Sequence, residues 1–293
     1  MTGLPADVAA LRAGLDATGY LADEGLATAL FLAVRMGQPL LLEGEPGVGK
    51  TEAAKALSAT LDTPLVRLQC YEGLTASEAL YEWNYPRQLL AIRLAESHRS
   101  TLAEADLFGP EYLLHRPLLA AIEHPGPRPA VLLIDEVDRA DDEFEAFLFE
   151  LLAEGSVTIP ELGTRRAKVR PVAILTSNRT RDLHDALKRR CLYHWIRYPD
   201  ADRVADIIRR RVPDASQSLA NRIAESVRRL RALDLYKPPG VAESIAWASA
   251  LEALGVSTWD LTAAEATLGA VLKYDEDMSA TRAAGLAKVL GDG

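Results

Sequence analysis

The chain has 293 residues, 48% hydrophobic and 26% charged, and its 33 Lys and Arg against 42 Asp and Glu leave a formal net charge of −9. That length accommodates one large domain, or a core domain with a smaller companion, around a substantial buried core, and the composition excludes a disordered chain. The acidic balance argues for solubility and against nucleic-acid binding driven chiefly by counterion release.

The N-terminal stretch MTGLPADVAALRAGL has no basic region leading into a long apolar run. Nor does any segment approach the roughly 18 apolar residues of a membrane span, so the sequence predicts a soluble cytoplasmic protein. Cys70 and Cys191 are far apart in the chain. They suggest neither a disulfide framework nor a zinc cluster and read as packing residues.

From Leu21 to Val34, LADEGLATALFLAV places Leu26, Leu30, Ala33 and Val34 on one helical face, after Asp23 and Glu24, acids that suit a helix start. Short apolar runs bounded by turn signals then recur at 39–43, 64–70, 130–136, 171–178 and 192–199. Their near-continuous apolar character predicts a parallel α/β sheet covered on both faces, with helices between most strands. After Pro199 the strand signals stop and helical patterns take over. The expected division is an α/β core over 1–199, including the N-terminal helices, and an all-helical domain over 200–293.

The first apolar run leads into Gly44, Glu45, Pro46, Gly47, Val48, Gly49, Lys50 and Thr51, which match G-x-x-x-x-G-K-[ST]. In such a loop the backbone N–H groups wrap phosphates, and the following helix presents its positive end. Lys50 would reach the outer phosphates and the Thr51 hydroxyl would ligate magnesium. A second element, AVLLIDEVDRADDEFEAFLFELLAEG, ends a buried strand in Asp135 and Glu136 at the carboxyl edge of the sheet, where ligands of open α/β sheets sit. Asp135 would hold magnesium through its water shell, and Glu136 would polarise an attacking water. Just downstream, Asp142 and Glu145 have capping-box spacing, and Phe144, Phe147, Leu148, Leu151 and Leu152 recur at helical intervals.

Asn178 ends the strand PVAILTSN, placed to hold a water with Glu136; an Asn after a strand is also an ordinary turn former. Arg189 and Arg190 precede the last strand. They read either as a cation supplied to a neighbouring subunit's γ-phosphate or as a solvated basic helix end.

This order of motifs resembles the AAA+ ATPases. EGEPGVGKTE, LLIDEVDRA and ELLAEGSVTIPELG resemble the MoxR branch, and LQCYEGLTASEALYEWNYPRQLLAIRL resembles the CoxD-like accessory ATPases encoded beside carbon monoxide dehydrogenase. The resemblance implies a P-loop NTPase core with a five-stranded parallel sheet and a helical lid, assembled as a hexameric ring that uses ATP and Mg²⁺ at subunit interfaces. It further implies a partner with a von Willebrand A domain and a client metalloenzyme, for the CoxD-like group the molybdenum and copper centre of carbon monoxide dehydrogenase. By that match Gly44 through Glu52 and Asp135 bind the nucleotide, Thr51 and Asp135 serve the metal, Glu136 and Asn178 serve the water, and Arg189 and Arg190 take the finger role.

One departure stands beside the match. KPPGVAESIAW has no arginine between Lys237 and Trp247 where many MoxR proteins carry a lid arginine, so either Lys237 substitutes or lid closure is weakly coupled to the nucleotide state. The segment GSVTIPELGTRRAKVRPV resembles the family's inserted hairpin, with Arg165, Arg166 and Lys168 at or near its tip, facing either a ring pore or solvent. Asp214 to Ser218 fits the D-x-S-x-S metal pattern but lacks a preceding strand, and reads as a turn and helix cap. Arg209 to Arg211 and Arg228, Arg229 and Arg231 lack interleaved aromatics and read as a solvated or inter-subunit face. The sequence thus predicts an ATP-hydrolysing remodeller. A nucleotide-gated binding module and a DNA-acting motor are the alternatives.

Overall fold

A computed structural model describes residues 4–98 and 103–291; residues 1–3 of the N-terminal stretch lie outside it. The chain forms two compact units, one from Met1–Leu15, Ala22–Glu43 and Ala54–His194, the other from Asp16–Leu21, Gly44–Ala53 and Trp195–Gly293.

The first unit carries the sheet. Its strands are β1 (Leu40–Gly44), β2 (Leu65–Gln69), β3 (Val131–Asp135), β4 (Val172–Ser177) and β5 (Leu192–Ile196), in the order β2-β3-β4-β1-β5. Every residue of β1, β3 and β4 is buried. That is the environment expected of central parallel strands covered on both faces, and it explains why they read as unbroken apolar runs. The edge strands alternate instead: in β2, Leu68 is buried while Arg67 and Gln69 are exposed. The register sets Gln69 beside Asp135 and Glu43 beside Ser177, so polar side chains gather at the carboxyl ends.

Helices α1 (Val8–Ala17), α2 (Glu24–Met36), α3 (Lys50–Leu61) and α4 (Asp142–Glu154) follow the apolar periodicities. Asp23 caps α2, accepting the Leu26 N–H at 2.7 Å. The capping box expected between Asp142 and Glu145 does not form. Asp141 caps α4 by accepting the Phe144 N–H at 2.9 Å, which moves Glu145 one position deeper and turns it inward to 1% exposure. The expected hairpin pairs Ser156–Ile159 with Gly163–Arg166. Because Ile159 faces Gly163, the tip is 160–162, so Arg165 and Arg166 stand on the returning strand and Lys168 beyond it, off the predicted tip. A second small hairpin pairs Tyr81–Trp83 with Leu113–His115.

A short helix α5 (Asp185–Lys188) precedes β5. The second unit is built around α6 (Ala201–Arg211), α7 (Gln217–Arg231) and α8 (Val241–Ala253). Its core gathers Val204, Ile208, Leu219, Ile223, Val227 and Trp247. Ser216 caps α7 through the Leu219 N–H at 3.1 Å, so Asp214–Ser218 is the turn and cap its sequence suggested. No described helix is long and apolar enough to cross a membrane.

Both cysteine thiols are pushed up to about 12. Burial is the main cause for each, and at Cys70 the carboxylates of Asp135, Asp138, Glu136 and Glu145 add to it. A raised thiol pKa leaves the unreactive protonated form at neutral pH. At pH 8 iodoacetamide should therefore leave Cys70 and Cys191 unmodified in the folded protein and alkylate both in urea. Rapid labelling of either native thiol, read by mass spectrometry, would contradict this environment.

Candidate functional site

The phosphate-loop segment lies in the second unit. Gly47 and Gly49 have φ of 78° and 98°, the left-handed region where a side chain is strained. The loop hands directly into α3, whose first residue is Lys50. The Lys50 side chain is 7% exposed, and its Nζ donates to the carbonyls of Gly44 at 2.8 Å and Glu45 at 2.9 Å. An ammonium buried to this degree needs such acceptors, and here they bind it to the loop it follows. Tyr20 Oη donates to the Gly49 carbonyl at 3.3 Å, Val241 N–H donates to the Gly47 carbonyl at 3.1 Å, and Glu52 lies 3.7 Å from Arg211. Val48 is buried, and Thr51 occupies the first turn of α3.

In the first unit the strand ends form a connected acid cluster. Thr176 Oγ1 on β4 donates to Asp135 Oδ1 at 2.6 Å and accepts the Glu136 N–H at 2.9 Å, so one hydroxyl fixes both acids. Arg67 on β2 reaches Asp135 Oδ2 with Nε at 3.0 Å and Nη2 at 2.6 Å. Asp135 is 2% exposed, and these charge-assisted bonds offset its burial. Glu136 adopts the left-handed conformation, φ 55° and ψ 50°, a strained geometry that turns its side chain out of the strand's alternation. Its Oε2 accepts from Gln69 Nε2 at 3.1 Å and pairs with Arg139 Nε at 3.0 Å, while Asn178 Nδ2 lies 3.5 Å from Oε1.

The structure thus brings Asp135, Glu136 and Asn178 together. Arg189 and Arg190 lie elsewhere on the first unit, both exposed, at the C-terminal cap of α5. They line a cavity of about 250 Å³ with Arg170, Leu152, Leu187 and Cys191, and none of the three polar-cluster residues shares it. Lys237 lines a cavity of about 470 Å³ with Glu45, Pro46, Arg231, Glu243 and Lys273. Among the described residues no group of three or more His, Cys, Asp or Glu makes a protein cage for a metal. Asp135 offers a hard carboxylate oxygen of the kind magnesium takes beside waters and substrate phosphates.

Of the residues behind this cluster, Asp138 escaped the sequence reading and Glu145 was read only as a capping partner of Asp142. Asp138, 2% exposed, accepts from Asn178 N–H at 3.2 Å, Thr180 N–H at 2.8 Å and Thr180 Oγ1 at 2.7 Å. Glu145 accepts from Arg181 Nη2 and from the His184 N–H at 2.9 Å. Two buried carboxylates therefore clamp the loop that carries Asn178. Arg67 and Gln69 lay within the apolar run 64–70 and carried no role in the sequence reading. The two arginine clusters also find acids within the second unit: Arg209 with Asp206, Arg210 with Asp16, Arg211 with Glu52, Arg228 and Arg229 with Glu225, and Arg231 with Glu45. Arg228 and Arg229 hold the Glu225 carboxyl down at about 2.

Sheet order, glycine-turned loop and strand-end acids define a P-loop nucleotide-binding α/β protein. The profile of the AAA domain, dynein-related subfamily, matches residues 39–191, over half of the sequence, and the chain belongs to that family. No curated protein matches it. Among solved structures it is similar to a RuvB point variant from Thermotoga maritima, with 18% identity over 87% of this chain and 70% of that one and a TM-score of 0.50. The Thermotoga maritima RuvB Holliday junction branch migration motor aligns with 18% identity over 86% and 69%, at a TM-score of 0.46. The fold is that of the AAA+ P-loop NTPases, with a five-stranded parallel sheet and a helical C-terminal region.

Asp138→Ala removes the acceptor of three hydrogen bonds and strands two backbone N–H groups. It should cost about 2–3 kcal/mol in urea unfolding. An unchanged midpoint would contradict the clamp.

Proposed function

We propose that this chain is a MoxR-type AAA+ ATPase that hydrolyses ATP with Mg²⁺ and spends that energy remodelling a partner protein. The observation that carries hydrolysis is Glu136, held by Gln69, Arg139 and Thr176 with Asn178 at 3.5 Å. A nucleotide-gated switch has no use for a fixed carboxylate and amide beside the magnesium-site acid. In this reading Gly44 through Thr51 hold the phosphates, with Glu52 completing the segment, Lys50 meets the outer phosphates, and Thr51 and Asp135 hold the metal. Magnesium, when bound, neutralises charge that develops on the phosphate oxygens. Glu136, assisted by Asn178, takes a proton from water as its oxygen attacks the γ-phosphorus, and the bond to the bridging oxygen breaks to release ADP.

The wider reading is that residues 1–199 act as the ATPase core and 200–293 as a helical lid in a cytoplasmic hexameric ring, with Arg189 or Arg190 reaching a neighbouring subunit's phosphate. The MoxR-like and CoxD-like segments support a von Willebrand A partner and a client metalloenzyme, with the molybdenum and copper centre of carbon monoxide dehydrogenase as the specific candidate. The pairing of all six clustered arginines with acids supports this over a DNA-acting motor.

Glu136→Gln should keep ATP binding while turnover falls by at least ~100-fold; retained turnover sinks the assignment. Arg190→Ala should impair turnover alone yet regain it in mixtures with Glu136→Gln chains, because each variant supplies what the other lacks. Mixtures no more active than their parts would place both residues in one subunit's site.

A further inference from the structure

Within the second unit, Arg231, the last residue of α7, is 16% exposed at its side chain and joins three separate segments. Its Nη2 meets Glu45 Oε2 of the phosphate loop at 2.5 Å, its Nη1 donates to the Pro239 carbonyl at 2.9 Å, and its guanidinium lies 3.8 Å from the centroid of the Tyr198 ring. Beside this contact the loop meets the start of α8 backbone to backbone. A Cβ on Gly240 would stand 3.0 Å from Gly47 Cα and 3.1 Å from the Pro46 carbonyl oxygen, and the Val241 N–H donates to the Gly47 carbonyl at 3.1 Å. Gly240 N–H in turn donates to Glu243 at 2.9 Å. The stretch from Lys237 to Trp247, which holds no arginine, is therefore packed on the loop through its main chain.

We propose that Arg231 is a positioning residue for nucleotide binding, holding Glu45 so that the phosphate loop keeps the shape that α8 packs against. It acts on the loop and touches no nucleotide itself. Glu45 is the only acid between Gly44 and Thr51. Unpaired, its carboxylate would repel incoming phosphates as well as free the loop. Arg231 both neutralises that charge and fixes where it points.

This inference rests on the phosphate loop binding ATP, so the test measures binding first. With the full chain, titration of a fluorescent mant-ATP probe with magnesium should show saturable binding in the wild type. Arg231→Ala should weaken it by about tenfold, the scale of coupling between close charged groups, with turnover at saturating ATP within about threefold of wild type. Glu45→Gln in the Arg231→Ala background should bind no worse than Arg231→Ala alone, because the partner is already lost. Should Arg231→Ala lose its cooperative thermal melt, Arg231→Lys replaces it: it keeps the charge and loses the fork, and should still bind the probe several-fold more weakly than wild type. Wild-type binding with single-variant effects that multiply in the double variant would overturn the coupling alone, as would variants that bind like wild type. Absence of probe binding to the wild type would overturn the nucleotide reading and this inference together.

Discussion

Burial of the central strands on both faces is the constraint on which the site depends. With β1, β3 and β4 buried throughout, acids in this sheet are tolerable only where a strand ends and hydrogen-bond partners converge. Asp135 stands at such an end, and the parallel register supplies Thr176 from one neighbouring strand and Arg67 from the other. A slip of one residue would put Val66 or Leu68 where Arg67 stands, and so remove the cation that pairs with the buried Asp135.

The same economy of charge extends outward. Glu136 is held by a strand neighbour, Gln69, and by Arg139 three residues on, while Asp138 and Glu145 anchor the loop that delivers Asn178. This density of carboxylates is felt at Cys70, whose thiol they help to keep protonated. In the second unit acids are spread singly among arginines, so a chain with two runs of basic residues presents ion pairs in their place. Exposed pairs of this kind contribute little stability each, and their main effect is on surface charge.

The sheet was legible because its central strands are short unbroken apolar runs and its edge strands largely apolar ones, and all five lie where those runs fall. The phosphate loop was legible because its glycines and lysine obey a spacing that backbone geometry imposes. What escaped depended on long-range register. Nothing local in LVRLQ says that Arg67 meets an acid 68 positions away, or that Arg231 meets Glu45 across 186. The capping-box expectation failed for a related reason: Asp141 and Asp142 are both competent caps, and inward demand for Glu145 from Arg181 and His184 decided between them. The hairpin's sequence gave its existence but not its tip, because the pairing of Ile159 with Gly163 was set by the strands and not by the basic residues.

The central claim is that a shared site turns over ATP. Its most direct test is ATP turnover per chain measured against protein concentration, with mass in solution recorded on the same samples. The account predicts turnover that rises as a ring assembles. Turnover independent of concentration from a persistent monomer, or none in an assembled ring with magnesium and ATP present, would contradict it.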